Sequence, residues 1–195
     1  MVSIRTEAFD DVWFAVAEDE RNRLLSSSFS LEDKREAVRV VIQCLPRGLR
    51  DQAKEVGRES PNLRMMYKLY LGETLQKHPS LEMRYFSPFR KRVYQAARRI
   101  PKGFVSTYGL IAAKAGNRLA YRAAGNAMRT NPFTLFVPCH RAVPSTMDVG
   151  RYSLSLDDDF NPEIKRALLV REGVEFERGK ISRKSLWRFK SGDKR

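Results

Sequence analysis

Short β-prone runs separated by polar breaks open the chain: Val2 to Thr6, Val12 to Ala17 and Leu24 to Phe29. Their length and spacing predict strands of a small antiparallel sheet. From Leu31 to Leu45 the period changes, with Ala37, Val38, Val41, Ile42 and Leu45 at helical spacing behind Ser30 as cap and ahead of Pro46 and Gly48. Cys44 lies beside that stripe and reads as a small buried hydrophobe. A second helical stretch, about 61–77, carries Leu63, Met66, Tyr67, Leu69, Tyr70 and Leu75. His78-Pro79-Ser80 and Tyr85-Phe86-Ser87-Pro88 then break the pattern, with His78 read as a solvated terminal residue. This predicts two domains, 1–82 and 83–195.

The second half reads as mostly helical. Ser87-Pro88 has the form of an N-cap followed by proline in the first turn. Phe89, Val93, Ala96, Ala97 and Ile100 then share one face, while Arg90, Lys91, Arg92, Arg98 and Arg99 occupy the rest, either solvated or facing phosphate. Ser106 to Ala115 gives a cap and a short helix, Gly116-Asn117-Arg118 a tight turn, and Leu119 to Arg129 a second helix halted by Asn131-Pro132. Helix, glycine-containing turn and helix form a helix-turn-helix pattern. Ala120, Ala123, Ala124, Gly125 and Ala127 make the second helix narrow enough to approach a nucleic-acid groove or another helix, and Arg118, Arg122 and Arg129 suit phosphate. The apolar run Phe133 to Val137 predicts a buried strand or extended segment leading to Pro138-Cys139-His140-Arg141. Asn161-Pro162-Glu163 starts a last helix that ends at Glu172.

Charge narrows the partners. Across 195 residues, Lys and Arg number 37 against 23 Asp and Glu, a net charge of +14, while 42% of positions are hydrophobic. A folded, strongly basic protein favours a polyanion through phosphate neutralisation. No apolar run approaches the roughly 20 residues of a membrane span, and Met1 to Glu7 has no signal-peptide core, so nucleic acid and an intracellular setting are expected. Cys44 and Cys139 with His78 and His140 are too few soft ligands for a zinc site, and Asp157 to Asp159 read as solvated or capping, so no metal is expected. A Cys44–Cys139 disulfide is disfavoured in a reducing cytosol. Beyond Arg178 the basic residues Lys180, Arg183, Lys184, Arg188, Lys190, Lys194 and Arg195 fit DNA contact or plain solvation.

A cysteine beside His140 and Arg141 is in a setting that lowers a thiol pKa from about 8.5 and enriches the nucleophilic thiolate. Neighbouring side chains of an extended chain diverge, however, so His140 helps Cys139 only if Pro138 bends the backbone or a water bridges the two. Local chemistry leaves a catalytic and a packing role both open.

Val137-Pro138-Cys139-His140-Arg141, preceded by Ser106-Thr107-Tyr108-Gly109 and by Gly125-Asn126-Ala127-Met128-Arg129-Thr130-Asn131-Pro132, resembles the O6-alkylguanine-DNA alkyltransferase family. The resemblance covers about Phe86 to Gly173, and the first half matches in general layout. It implies an α/β (α+β) fold with a small N-terminal domain of antiparallel sheet and helices. The C-terminal domain is then mostly helical and holds a helix-turn-helix. The implied activity is DNA repair by direct reversal: single-turnover, irreversible transfer of an alkyl group from O6-alkylguanine in duplex DNA to Cys139, with base flipping through a minor-groove-binding helix-turn-helix. No cofactor is implied, and the protein is expected to act as a monomer in the cytoplasm, or the nucleus of a eukaryote.

Residue by residue, the resemblance makes Cys139 the acceptor, His140 the base acting through a water, Glu172 its orienter and Asn131 a hinge. Arg122 resembles the finger that replaces the flipped nucleotide, with Thr107, Tyr108, Ala123 and Arg129 also on DNA. Tyr108 additionally hydrogen-bonds the departing guanine, while Val149, Tyr152 and Ser153 line the substrate pocket. The stretch from Leu154 to Pro162 departs from the family pattern, being longer and acidic, which bears on the pocket rim. A zinc pattern found in some members has no counterpart here. Two other classes compete: an alkyltransferase-like lesion binder, which lacks the acceptor thiol, and a Cys-His-Glu hydrolase, which the basic charge fits poorly.

Overall fold

β1 (Val2–Phe9), β2 (Val12–Glu18) and β3 (Leu24–Ser30) pair antiparallel, each to the next. The computed structural model describes residues 1–57, 59–152 and 161–190. Within these, the chain divides into two compact units, the first made of 1–85 and 130–136 and the second of 86–129, 137–152 and 161–190.

In the first unit, α1 (Lys34–Cys44), a short α2 (Arg47–Arg50), β4 (Ala53–Glu55) and α3 (Pro61–Tyr70) follow the three strands. Helices cover both faces of the sheet. Ile4, Ala15, Ala17 and Leu25 pack against Ala37, Val41 and Leu45 of the α1 segment. On the other face Phe14 and Phe29 set their rings against Tyr70 of α3 at 5.5 and 5.2 Å, and Phe9 stacks on Tyr67 at 4.7 Å. A strand buried on both faces needs a continuous apolar run rather than alternation, which is what β2 carries.

β3 reaches the same burial with serines. Ser26 and Ser28 donate to the Val41 and Ala37 carbonyls of α1 at 2.8 and 2.6 Å, so each hydroxyl is satisfied inside the core. The apolar stretch after Asn131 joins this unit as an extended segment, with Ser27 donating to the carbonyls of Pro132 and Thr134. Three details correct the sequence reading. The sheet is mixed, because the three-residue β4 lies parallel to β1. α1 starts at Lys34 under an Asp33 cap, since the Ser30 hydroxyl is taken up by the Glu32 and Asp33 amides in a turn after β3. α3 stops at Tyr70 instead of near 77, where the Gly72 amide folds back onto Leu69. Cys44 is half-buried rather than enclosed, and neither cysteine is in a disulfide.

The second unit begins with α4 (Pro88–Ala97), capped by Ser87 as expected. β5 (Ser106–Thr107) leads into α5 (Tyr108–Lys114), with Thr107 as the cap, and α6 (Tyr121–Arg129) starts two residues later than the pattern predicts. Gly116, at φ 93°, makes the turn between the two helices: its amide donates to Ala113 and that of Asn117 to Ala112, a Schellman stop that requires a left-handed residue. β6 (Ala142–Val143) pairs parallel with β5, α7 (Pro162–Arg171) follows, and β7 (Phe176–Glu177) and β8 (Lys180–Ile181) form a hairpin.

The basic C-terminal stretch is built into this unit as far as Trp187. The Trp187 amide donates to the Val105 carbonyl at 2.7 Å, its ring meets Phe104, and Ile181 and Ser185 are buried, while Lys180, Arg183, Lys184, Arg188 and Lys190 remain exposed. Lys194 and Arg195 lie outside the described residues. Among the described residues no helix is long and apolar enough to cross a membrane, and no cluster of metal ligands occurs.

Candidate active site

Pro138 bends the chain at the point where the cysteine needs it. With φ −76° and ψ 71° it is the centre of an inverse γ-turn, closed by the Cys139 amide donating to the Val137 carbonyl at 2.7 Å. Cys139, His140 and Arg141 then form one 3-10 turn, so their side chains leave in different directions instead of alternating along a strand. Cys139 is half-buried and His140 almost completely enclosed.

His140 Nε2 lies 2.9 Å from Glu172 Oε1. A carboxylate only accepts, so Nε2 carries the proton and Nδ1 keeps its lone pair. Nδ1 is buried with no hydrogen-bond partner among the described protein groups. Burial pushes the His140 pKa down against the pull of Glu172, which keeps the ring neutral.

Glu172 would itself be pushed up by burial, yet His140 and Arg141 hold it down at about 2. Arg141 grips it with two bonds, Nε to Oε2 at 2.7 Å and Nη2 to Oε1 at 2.8 Å, and anchors its third nitrogen on the Ile100 carbonyl at 2.7 Å. The position of Glu172 follows from helix termination. It is the C-cap of α7, and Gly173, at φ 84°, turns the chain so that the Gly173 and Val174 amides satisfy Val170 and Leu169.

Two tyrosines and a lysine complete the surroundings of Cys139. The Tyr108 phenol is pushed up to about 12, first by burial and then by the charge that Cys139 can carry, so it stays a proton donor. Tyr152 is raised well above its ordinary value for the same reasons. Its buried hydroxyl lies against the Cys139 sulfur, a weak partner, with no conventional hydrogen bond. Lys165, 1% exposed, donates to the carbonyl of Ala142, the residue that ends the cysteine turn, at 2.8 Å. Burial brings its pKa down to about 8, and Cys139 opposes that shift.

The remaining expected residues are dispersed. Arg122, Ala123 and Arg129 are exposed on α6, with Arg129 donating to Asn126 Oδ1 at 3.3 Å. Thr107 caps α5 through the Leu110 amide. Asn131 is buried in the first unit, where its Oδ1 accepts from the Phe133 amide at 3.0 Å. Val149 is half-buried three residues before Tyr152, and Ser153 and the acidic stretch 154–160 lie outside the described residues.

The sequence reading gave Lys165 no role, and gave Arg141 only that of a basic neighbour of the thiol, not its grip on Glu172. Lys165 does leave a trace, because it shares a helical stripe with the buried Leu168, Leu169 and Glu172, where an apolar residue belongs. Arg141 leaves none, since 31 residues separate it from Glu172 in sequence.

Residues 88–174 match the family model for the DNA-binding domain of 6-O-methylguanine DNA methyltransferase. The methylated-DNA–protein-cysteine methyltransferase of Thermococcus sibiricus is 32% identical over 183 residues, 90% of this chain and 98% of that one. The human protein of that name is 38% identical over 96 residues, 49% of this chain and 42% of its own. Among solved structures, the O6-methylguanine-DNA methyltransferase of Pyrococcus kodakaraensis aligns with a TM-score of 0.67 and 26% identity over 89% of this chain and 100% of that one. The OGT of Mycobacterium tuberculosis in complex with DNA aligns with a TM-score of 0.66 and 25% identity, over 88% and 93% of the two chains.

Proposed function

Since this chain belongs to the methylated-DNA–protein-cysteine methyltransferase family, sharing 32% identity with a relative over almost the full length of both, we propose that it repairs O6-alkylguanine in duplex DNA by taking the alkyl group onto Cys139. The observation that carries this reading is the Arg141–Glu172–His140 network behind a half-buried cysteine. Glu172, fixed as an anion by Arg141, holds the proton of His140 on Nε2 and leaves Nδ1 to take the thiol proton, directly or through one water. The thiolate attacks the alkyl carbon, an S–C bond forms, the C–O6 bond breaks, and its electron pair passes to guanine. Tyr108, kept protonated, hydrogen-bonds the departing base. The ammonium of Lys165 favours the thiolate over the thiol. The product thioether has no hydrolytic exit, so each molecule acts once.

Access to a base in a duplex requires extruding it. α6 presents Arg122 on an exposed face beside Ala123, and we assign Arg122 the place of the departed nucleotide, with Thr107, Ala123 and Arg129 on the flanking backbone. Val149 and Tyr152 would line the pocket, and Asn131 would fix the segment that leads to Cys139. In this reading residues 83–195 bind DNA and carry the chemistry, 1–82 support them, and the monomer is the working unit.

Intact mass after incubation with a duplex carrying O6-methylguanine tests the reaction. The wild type gains one methyl per molecule and Cys139→Ala gains none; tight binding with no gain in mass would leave a lesion binder instead. Unstacking a base costs a few kcal/mol. Arg122→Ala is therefore expected to slow repair of duplex lesions at least tenfold while leaving the reaction with free O6-benzylguanine unchanged. Equal losses on both substrates would refute the finger assignment.

A further inference from the structure

We propose that Tyr121 is a stacking platform on which the extruded nucleotide rests between the duplex and Cys139. The proposal deepens the base-flipping reading above and rests on it. Tyr121 is the first residue of α6 and is 48% exposed, an aromatic ring left on the outside of a helix whose own core contacts come from Ala124, Ala127 and Met128. The Arg122 guanidinium lies 5.6 Å from the centre of that ring, within cation–π range, so ring and finger are held as a pair before any DNA arrives.

The two neighbours point along different stripes. Arg122 shares its stripe with the exposed Asn126 and Arg129. Tyr121 shares its own with Gly125, one turn on, and Gly125 is where the Tyr108 ring packs: a Cβ there would sit 3.8 Å from Tyr108 Cγ. Tyr121 and Arg122 thus flank Gly125, the position covered by Tyr108, whose phenol feels the charge of Cys139. A base displaced at Arg122 and moving over Gly125 towards Tyr108 has the Tyr121 ring beside it. A flat, half-exposed ring offers it a stacking surface that accepts any base, whatever its alkyl group, because every base has a π-face. The ring face does this, and the hydroxyl is not required.

Single-turnover transfer from an O6-methylguanine duplex, with 2-aminopurine beside the lesion to report extrusion, tests the role. Tyr121→Ala is expected to slow duplex repair about tenfold, the scale of one lost base stack, and to reduce the 2-aminopurine signal. Its rate with free O6-benzylguanine and its affinity for undamaged duplex stay at the wild-type level, and Tyr121→Phe restores duplex repair. Wild-type duplex rates in Tyr121→Ala, a Tyr121→Phe as slow as Tyr121→Ala, or an equal loss on the free base would each overturn the proposal. If the wild type itself transfers the methyl group with no 2-aminopurine response, the flipping reading fails first and the platform falls with it. A wild-type response that Tyr121→Ala leaves intact rejects the platform alone.

Discussion

Glu172→Gln is expected to slow transfer to Cys139 by roughly 100-fold, the lower end of what general acid–base catalysis contributes, and to destabilise the protein by about 3 kcal/mol. Both losses come from one removed charge. His140 loses the anion that fixes its tautomer, and Arg141 is left with a guanidinium only 12% exposed and no carboxylate to receive its two bonds. The pH dependence distinguishes this from a general loosening. Glu172 is held at about 2 against an ordinary 4.5, so its ionisation stabilises the fold fully above pH 4.5. That contribution, about 3 kcal/mol for such a shift, is lost as pH falls towards 2. Denaturant unfolding of the wild type should show the decline, and the glutamine variant, having nothing to protonate, should lack this component. An unchanged transfer rate in the variant would remove Glu172 from the mechanism.

Lys165→Met should act in the opposite direction on stability. A lysine brought from 10.5 down to about 8 is penalised in the folded state, by about 3 kcal/mol at neutral pH. The penalty is complete below pH 8 and fades as pH rises to 10.5, so wild-type stability climbs across that window. Methionine fills a similar volume without charge, and even after the lost bond to the Ala142 carbonyl the variant is expected to gain about 2 kcal/mol at pH 7 and to lose the alkaline rise. Transfer should meanwhile fall roughly fivefold, because about 1 kcal/mol of charge attraction to the thiolate is gone. Its rate-versus-pH profile should move to higher pH. A more stable protein with undiminished reactivity would mean that Lys165 serves only packing.

Much of this was legible in the sequence where local rules decide. Ser87-Pro88 capped α4, Gly116 made the turn before α6, and Asn161-Pro162 opened α7, because caps and left-handed turns depend on a few adjacent residues. The pairing of His140 with Glu172 came through family resemblance, and the geometry brings those two together. What stayed hidden depends on residues far apart in sequence. Strand β4 has three residues and no pattern of its own, β3 hides serines whose partners are carbonyls of a helix, and the stretch to Trp187 reads as a basic tail, for DNA or for water, because its partner Val105 is distant in sequence. The extent of α3 was overestimated because Leu75 continued an apolar tally past the fold-back at Gly72.

The 3-10 turn at Cys139–Arg141 sets a phase as well as a place. With three residues per revolution, consecutive side chains are about 120° apart, so the nucleophile, its base and the grip on Glu172 occupy the three sectors of one revolution. Inserting or deleting a single residue there would rotate all three side chains by one sector, in opposite senses, so that neither the sulfur nor the imidazole would keep its place. Pro138, whose ring fixes φ at the entry to the turn, is in effect the timing mark from which that rotation is counted.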